Sequence, residues 1–227
     1  MNNYYVKKLC DEKLMRCYKI APPRIQQYLN AEIQHVLESI SSDCRVLELG
    51  CGYGRVLQHL TKKSRSVFGI DISASSIELA RQMLRGISTC HLFVMNAVRL
   101  GFKDNTFERV FCVQNGISAF HVDQRALISE SIRVTKNRGL VLYSSYSAKI
   151  WPERLHWFKL QAEAGLLGEI DWQQTRNGVI VCKDGFTART LSSEQFRDLT
   201  ADLPVDVTIE EVDESSRFLV LTMHKGT

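Results

Sequence analysis

Between positions 46 and 55 the chain reads Val-Leu-Glu-Leu-Gly-Cys-Gly-Tyr-Gly-Arg, an apolar run that stops in three alternating glycines. Few folds accommodate such a run. The apolar residues make a buried strand, and the glycines permit a turn whose backbone angles and close approaches exclude larger side chains. A helix is expected next, near 55–63. A backbone loop of this kind lies flat against a polar ligand, and Glu48 stands two residues before the first glycine.

The rest of the chain repeats the alternation. Strands are expected at 45–50, 66–71, 91–95, 107–113 and 138–144, with helices near 75–85 and 123–135 between them. Ser75 with Glu78 fits a capping box, and Asp123 is placed to cap the next helix. Strand–helix alternation predicts a parallel sheet covered on both faces with right-handed crossovers. Two further strands, 205–212 and 217–224, are expected to pair antiparallel through Asp213, Glu214, Ser215 and Ser216. The expected fold class is therefore α/β, a doubly wound, seven-stranded, mostly parallel sheet with an antiparallel terminal strand. Ahead of it, residues 1–42 form a helical segment. There Ile25, Tyr28, Leu29, Ile33, Val36, Leu37 and Ile40 recur at helical intervals behind Pro22 and Pro23. Residues 146–191 interrupt the alternation as an insertion. Trp151 and Pro152 open a helix to about Leu167, and 177–188 reads as a hairpin turning at Lys183, Asp184 and Gly185. A helix near 192–202 follows. Residues 1–227 read as a single domain.

Composition excludes several classes. The net charge is +4, from 29 basic and 25 acidic residues, and the basic residues are dispersed, so a nucleic-acid partner is not expected. The densest charge run is acidic, from Asp202 to Glu214, and reads as a solvated face. Seven cysteines form no C-x-x-C pair, which argues against a disulfide framework and a structural metal and for reduced thiols in the cytoplasm. The first residues carry no apolar signal core, and no stretch approaches the roughly 20 apolar residues of a membrane span.

Open parallel sheets bind ligands at the carboxyl ends of their strands, where strand order reverses. The glycine loop lies there. So does Asp71, at the end of the second strand and about 20 residues past the loop, where a carboxylate can accept hydrogen bonds from a ribose diol. Three details favour a cationic nucleoside over a dinucleotide. Position 55 is Arg where the dinucleotide pattern needs Gly or Ala. Glu48 would repel a pyrophosphate but suits an ammonium or sulfonium. The third and fourth strands end in the polar groups of Asn96 and of Gln114 and Asn115.

With these residues in register, the segment 45–145 resembles the class I S-adenosylmethionine-dependent methyltransferases, whose sheet is Rossmann-like. The resemblance implies S-adenosyl-L-methionine as cofactor. Glu48, Gly50, Cys51, Gly52 and Gly54 would bracket its methionine portion, Asp71 would hold the ribose, and Ile72 would pack on the adenine. Asn96 and Ala97 would sit at the adenine amino group, with Gln114 and Asn115 facing the carboxylate tail and the methyl donor. Asn96 stands where the family commonly has Asp. The motif for methylating exocyclic base nitrogens is absent, and Gln114, Asn115, Gly116 and Ile117 occupy its place.

The N-terminal segment would act as a lid, with Arg16, Tyr18 and Arg24 as candidates to face the crevice. Tyr18 and His121 are the candidate catalytic residues, and His156, Trp151 and Trp157 are candidates for acceptor contact. Cys51 fits the loop by its small size. The expected function is methyl transfer to a small-molecule acceptor. The alternatives are an RNA or protein methyltransferase, an NAD-type oxidoreductase, and a non-catalytic cofactor-binding module.

Overall fold

A computed structural model of the chain describes Tyr4 and residues 8–224. Seven strands form one sheet: β1 (Arg45–Leu49), β2 (Ser66–Asp71), β3 (Cys90–Val94), β4 (Phe107–Cys112), β5 (Thr135–Tyr146), β8 (Val205–Val212) and β9 (Ser216–Met223), in the order β3-β2-β1-β4-β5-β9-β8. The first five run parallel, and β9 is antiparallel to both β5 and β8. This is the expected doubly wound architecture. Val46, Leu47 and Leu49 of β1 are all buried, as a central parallel strand requires. Strand order reverses between β1 and β4, so a crevice opens above their carboxyl ends.

Helices cover both faces. Helices α1 (Asp11–Lys19), α2 (Pro23–Glu38), α3 (Leu57–Leu60) and α4 (Ala74–Met83) precede β3. Then come α5 (Gly116–Ala119), α6 (Gln124–Val134), α7 (Trp151–Glu163) and α8 (Ser193–Thr200). One face packs Leu127, Ile128 and Phe196 on the sheet, and the other packs Ile33, Val36, Leu57 and Ile77. A third cluster lies over the crevice and joins Cys17, Ile25 and Tyr28 to Tyr146, Trp157, Phe158 and Phe186.

Local chemistry moves several expected boundaries. The helix expected at 55–63 shrinks to the single turn of α3, because neighbouring amides close three-residue turns (His59 to Val56, Lys63 to Leu60). Ser73, not Ser75, caps α4: its hydroxyl accepts from Ser76 N at 3.1 Å, while Ser75 pairs with the Ser73 hydroxyl and Glu78 with Arg81. Asp123 caps α6 as expected, accepting from Arg125 and Ala126. Helix α7 stops at Glu163, short of Leu167, where Gly165 turns left-handed at φ +67°.

The hairpin pairs β6 (Ile180–Val181) with β7 (Thr187–Ala188), and Gly185 turns it at φ +97°. The acidic run is not simply solvated. Asp213 accepts from Arg24 Nη1 and Gln27 at 2.6 Å each, and Lys149 pairs with Glu211 and Glu214. The run therefore ties α2 and the start of the insertion to the β8–β9 hairpin. No helix among the described residues is long and apolar enough to cross a membrane.

Candidate cofactor and acceptor site

The glycine loop is held by backbone and by Asp71. Gly50 N and Cys51 N both donate to Ile70 O, at 2.8 and 2.9 Å, and Gly52 N donates to Asp71 Oδ2 at 2.9 Å. Asp71 Oδ1 accepts from Ser73 N at 2.8 Å. The carboxylate therefore fixes the loop and the entry to α4 together. Burial raises its pKa, and the Ser73 and Gly52 amides oppose that rise. Gly50 sits at φ +72°, and a Cβ there would lie 2.4 Å from the Phe120 ring. Gly54 serves packing instead. A Cβ at that position would meet Leu84 at 2.8 Å, so the glycine lets the loop pack on α4 and does not line the crevice.

Above the loop lies a cavity of about 530 Å³, within the usual range for ligand sites. Gly50, Gly52, Asp71, Ile72, Asn96, Ala97 and Gln114 form one end, with Leu14 and Tyr18 of α1 over them. Ile72 is half exposed there. A narrow side cleft runs beneath, lined by Glu48, Cys51, Tyr53, Arg55 and Gln114. It gathers polar atoms that have no hydrogen-bond partner among the described residues: Glu48 Oε2, Arg55 Nε and Nη2, and Gln114 Nε2. Buried polar atoms are rarely left this way, so a charged ligand group of each sign suits the cleft. Glu48 is 4% exposed, and burial outweighs the field of Arg55 and pushes its carboxyl up to about 8. That corrects the expectation of a standing negative charge at position 48. In the free protein the carboxyl holds its proton near pH 7.

A methyltransferase-domain family model matches residues 46–139, the segment that carries this loop and both acidic positions. That segment carries a methyltransferase domain of the class I S-adenosylmethionine-dependent type. It is 30% identical over 130 residues to an uncharacterised protein of Methanocaldococcus jannaschii, covering 53% of each chain. Over 138 residues it is 26% identical to the 2-methyl-6-phytyl-1,4-hydroquinone methyltransferase of Synechocystis, covering 56% of this chain and 42% of that one. The chain thus spans about half, or less, of the curated relatives it matches. The fold is shared with the N-methyltransferase NodS of Bradyrhizobium japonicum, solved with S-adenosyl-L-homocysteine (TM-score 0.64, 14% identity, 99% of this chain and 100% of that one). The superfamily's cofactor is S-adenosylmethionine, and this site fits it. Asp71 offers a carboxylate at the end of β2, and the cleft offers an acid and a guanidinium to an amino-acid tail.

The remaining candidate residues divide between the cavity and the scaffold. Tyr18 lines the cavity, and its hydroxyl donates to Gln114 Oε1 at 2.7 Å. Its ring lies 4.8 Å from the Arg55 guanidinium. Arg16 is exposed and Arg24 is engaged by Asp213, so neither faces the crevice as expected. Asn115 is buried and turned away, donating to Arg189 O and accepting from the Ser145 hydroxyl; it braces the β4 loop. Asn96 Oδ1 accepts from Val98 N. His121 lies on the cavity rim at φ +51°. Partial enclosure of its ring, then the charge of Arg189, hold its pKa below the ordinary value, so it is neutral at pH 7. Trp157 lines the cavity and donates to Cys17 O at 2.9 Å, whereas Trp151 packs outside against Arg154 and His156 is exposed. Sequence reasoning missed Tyr146, Phe158, Gln161 and Phe186, which line the far end. Arg55 was legible beside the third glycine, but only as a mark against dinucleotides.

Proposed function

We propose that the protein transfers the methyl group of S-adenosylmethionine to a small-molecule acceptor, working as a single domain in the cytoplasm. The observation that carries this is the continuity of the cavity. A cofactor end built on Gly50, Asp71 and the Glu48–Arg55 cleft opens directly into a chamber roofed by α1 and α7. An enclosed chamber suits a small acceptor better than a macromolecular surface. The names of the Synechocystis relative and of NodS point to methyl transfer, the former to a hydroquinone acceptor. All seven cysteines are free, which supports a reducing compartment.

The cofactor supplies a methyl group on a positively charged sulfur, already activated for displacement. The protein's work is alignment and exclusion of water. Asp71 holds the ribose hydroxyls, Ile72 packs on the adenine beside Asn96 and Ala97, Glu48 takes the ammonium and Arg55 the carboxylate. Gln114, held by Tyr18, faces the tail. His121, neutral at pH 7, is the group placed to take a proton from an acceptor that carries one.

Thermal unfolding tests the cofactor half. S-adenosyl-L-homocysteine at 100 times its Kd should add about 2.7 kcal/mol of stability, and NAD none. Asp71→Ala should abolish most of that gain. A shift with NAD instead, or an Asp71→Ala protein that responds like wild type, refutes the assignment. A screen of cell extract with labelled methyl donor should yield labelled product that survives nuclease and protease treatment.

A further inference from the structure

The far end of the cavity, which neither cofactor nor catalytic assignments use, carries the strongest record of what enters it. Tyr146, Trp157, Phe158 and Phe186 form its walls, and Gln161 of α7 stands among them. Gln161 is 3% exposed, and its amide nitrogen has no hydrogen-bond partner among the described residues. A buried amide left unpaired is a specificity device, because a ligand oxygen satisfies it and an apolar ligand does not.

The charge of the chamber is equally informative. Among the described lining residues the only carboxylate is Asp71, at the nucleotide end, and none is Lys or Arg. An anionic acceptor would therefore be buried without a counter-ion. Aromatic walls could instead welcome a cation through their ring faces. Here two of those rings already carry a cation on the side away from the chamber. The Arg154 guanidinium lies 4.3 Å from the Tyr146 ring centre and 5.5 Å from that of Phe158, while its Nη1 and Nη2 donate to Gly178 O and Ala188 O. Arg55 occupies Tyr18 in the same way. A ligand cation in the chamber would be repelled by the two guanidinium groups behind its walls.

We infer that the acceptor is an uncharged, flat, largely apolar molecule whose hydroxyl or carbonyl oxygen accepts a hydrogen bond from the Gln161 amide, between the Trp157 and Tyr146 rings. The inference rests on the methyl-transfer reading above and narrows its substrate class.

Three probes of one shape separate the charge classes: 2-naphthol, 2-naphthoate and 2-(aminomethyl)naphthalene, titrated calorimetrically into protein saturated with S-adenosyl-L-homocysteine. 2-Naphthol should bind at least tenfold tighter than either charged probe. Gln161→Leu should weaken 2-naphthol about tenfold and leave S-adenosyl-L-homocysteine affinity within twofold, which also reports that the variant is folded. A charged probe that equals or beats 2-naphthol, no binding of 2-naphthol to the loaded protein, or a folded Gln161→Leu variant that binds it like wild type overturns the inference. The wild-type comparison stands even where that variant fails to fold. Failure of S-adenosyl-L-homocysteine itself to bind is a different result, and it removes the methyl-transfer reading.

Discussion

Glu48 and Arg55 share a cleft too narrow for anything but the end of a ligand, and each leaves a polar atom unpaired in it. A zwitterionic amino-acid tail satisfies both. The protonation of Glu48 makes this measurable. Its carboxyl titrates at about 8 in the folded protein against an ordinary 4.5, so between those values the folded state holds a proton that the unfolded chain releases. Its contribution to stability is therefore largest below the unfolded value and declines as pH rises toward 8. An ammonium brought beside it favours the ionised form. S-adenosyl-L-homocysteine should thus bind more tightly at pH 8 than at pH 6, with proton release near pH 7. Calorimetry in buffers of differing ionisation enthalpy should show that proton for wild type and not for Glu48→Gln; equal release from both would assign it elsewhere.

At the level of elements, α1 is fastened as a roof by contacts of distinct chemistry. Tyr18 donates to Gln114 and covers Arg55, the Trp157 indole donates to Cys17 O, and the Ser76 hydroxyl of α4 donates to Asp11 Oδ1. Tyr18→Phe keeps the ring and removes the hydroxyl, leaving Gln114 Oε1 without that donor. A loss of about 1 kcal/mol in S-adenosyl-L-homocysteine binding, roughly fivefold in Kd, is expected. Tyr18→Ala also uncovers Arg55 and should cost more. Identical affinities for wild type and both variants would mean that α1 does not bear on the cofactor. The amphipathic spacing of α2 was plain in the sequence. The side of α1 that faces the crevice was not, because Arg16 and Tyr18 lie on nearly opposite faces of a helix with weak apolar periodicity, and packing of Cys17 and Tyr18 against Trp157 of α7 chose between them.

For the whole molecule, the partition of apolar side chains sets how it should move. Two clusters sandwich the sheet, and the third joins α1 and α2 to the insertion over the crevice. The third roofs the crevice, outside the two cores that clamp the sheet. Hydrogen exchange should therefore find the amides of α1 and of the 177–188 hairpin less protected than those of β1 and β4. Saturation with S-adenosyl-L-homocysteine should slow α1 most. Protection of α1 already equal to that of β1, and unmoved by ligand, would describe a permanently open or rigid cavity instead.

The parallel sheet, its switch point and the loop at residues 50–54 were fixed by local rules. An apolar run buries itself, alternating glycines turn, and a carboxylate at the next strand end arrives beside them whatever surrounds it. The antiparallel terminal pair was legible for the same reason, through its apolar runs and the turn between them. The cap was decided otherwise. Tyr18, Tyr146, Trp157, Gln161 and Phe186 come from segments as much as 168 positions apart and carry no shared spacing. Only the closing of α1 and α7 over the sheet brings them to one chamber. The proton on Glu48 and the ring faces taken by Arg154 are also products of burial, which a linear pattern does not encode. The glycine loop and its carboxylates lie within short stretches of chain; the far chamber arises where distant stretches meet.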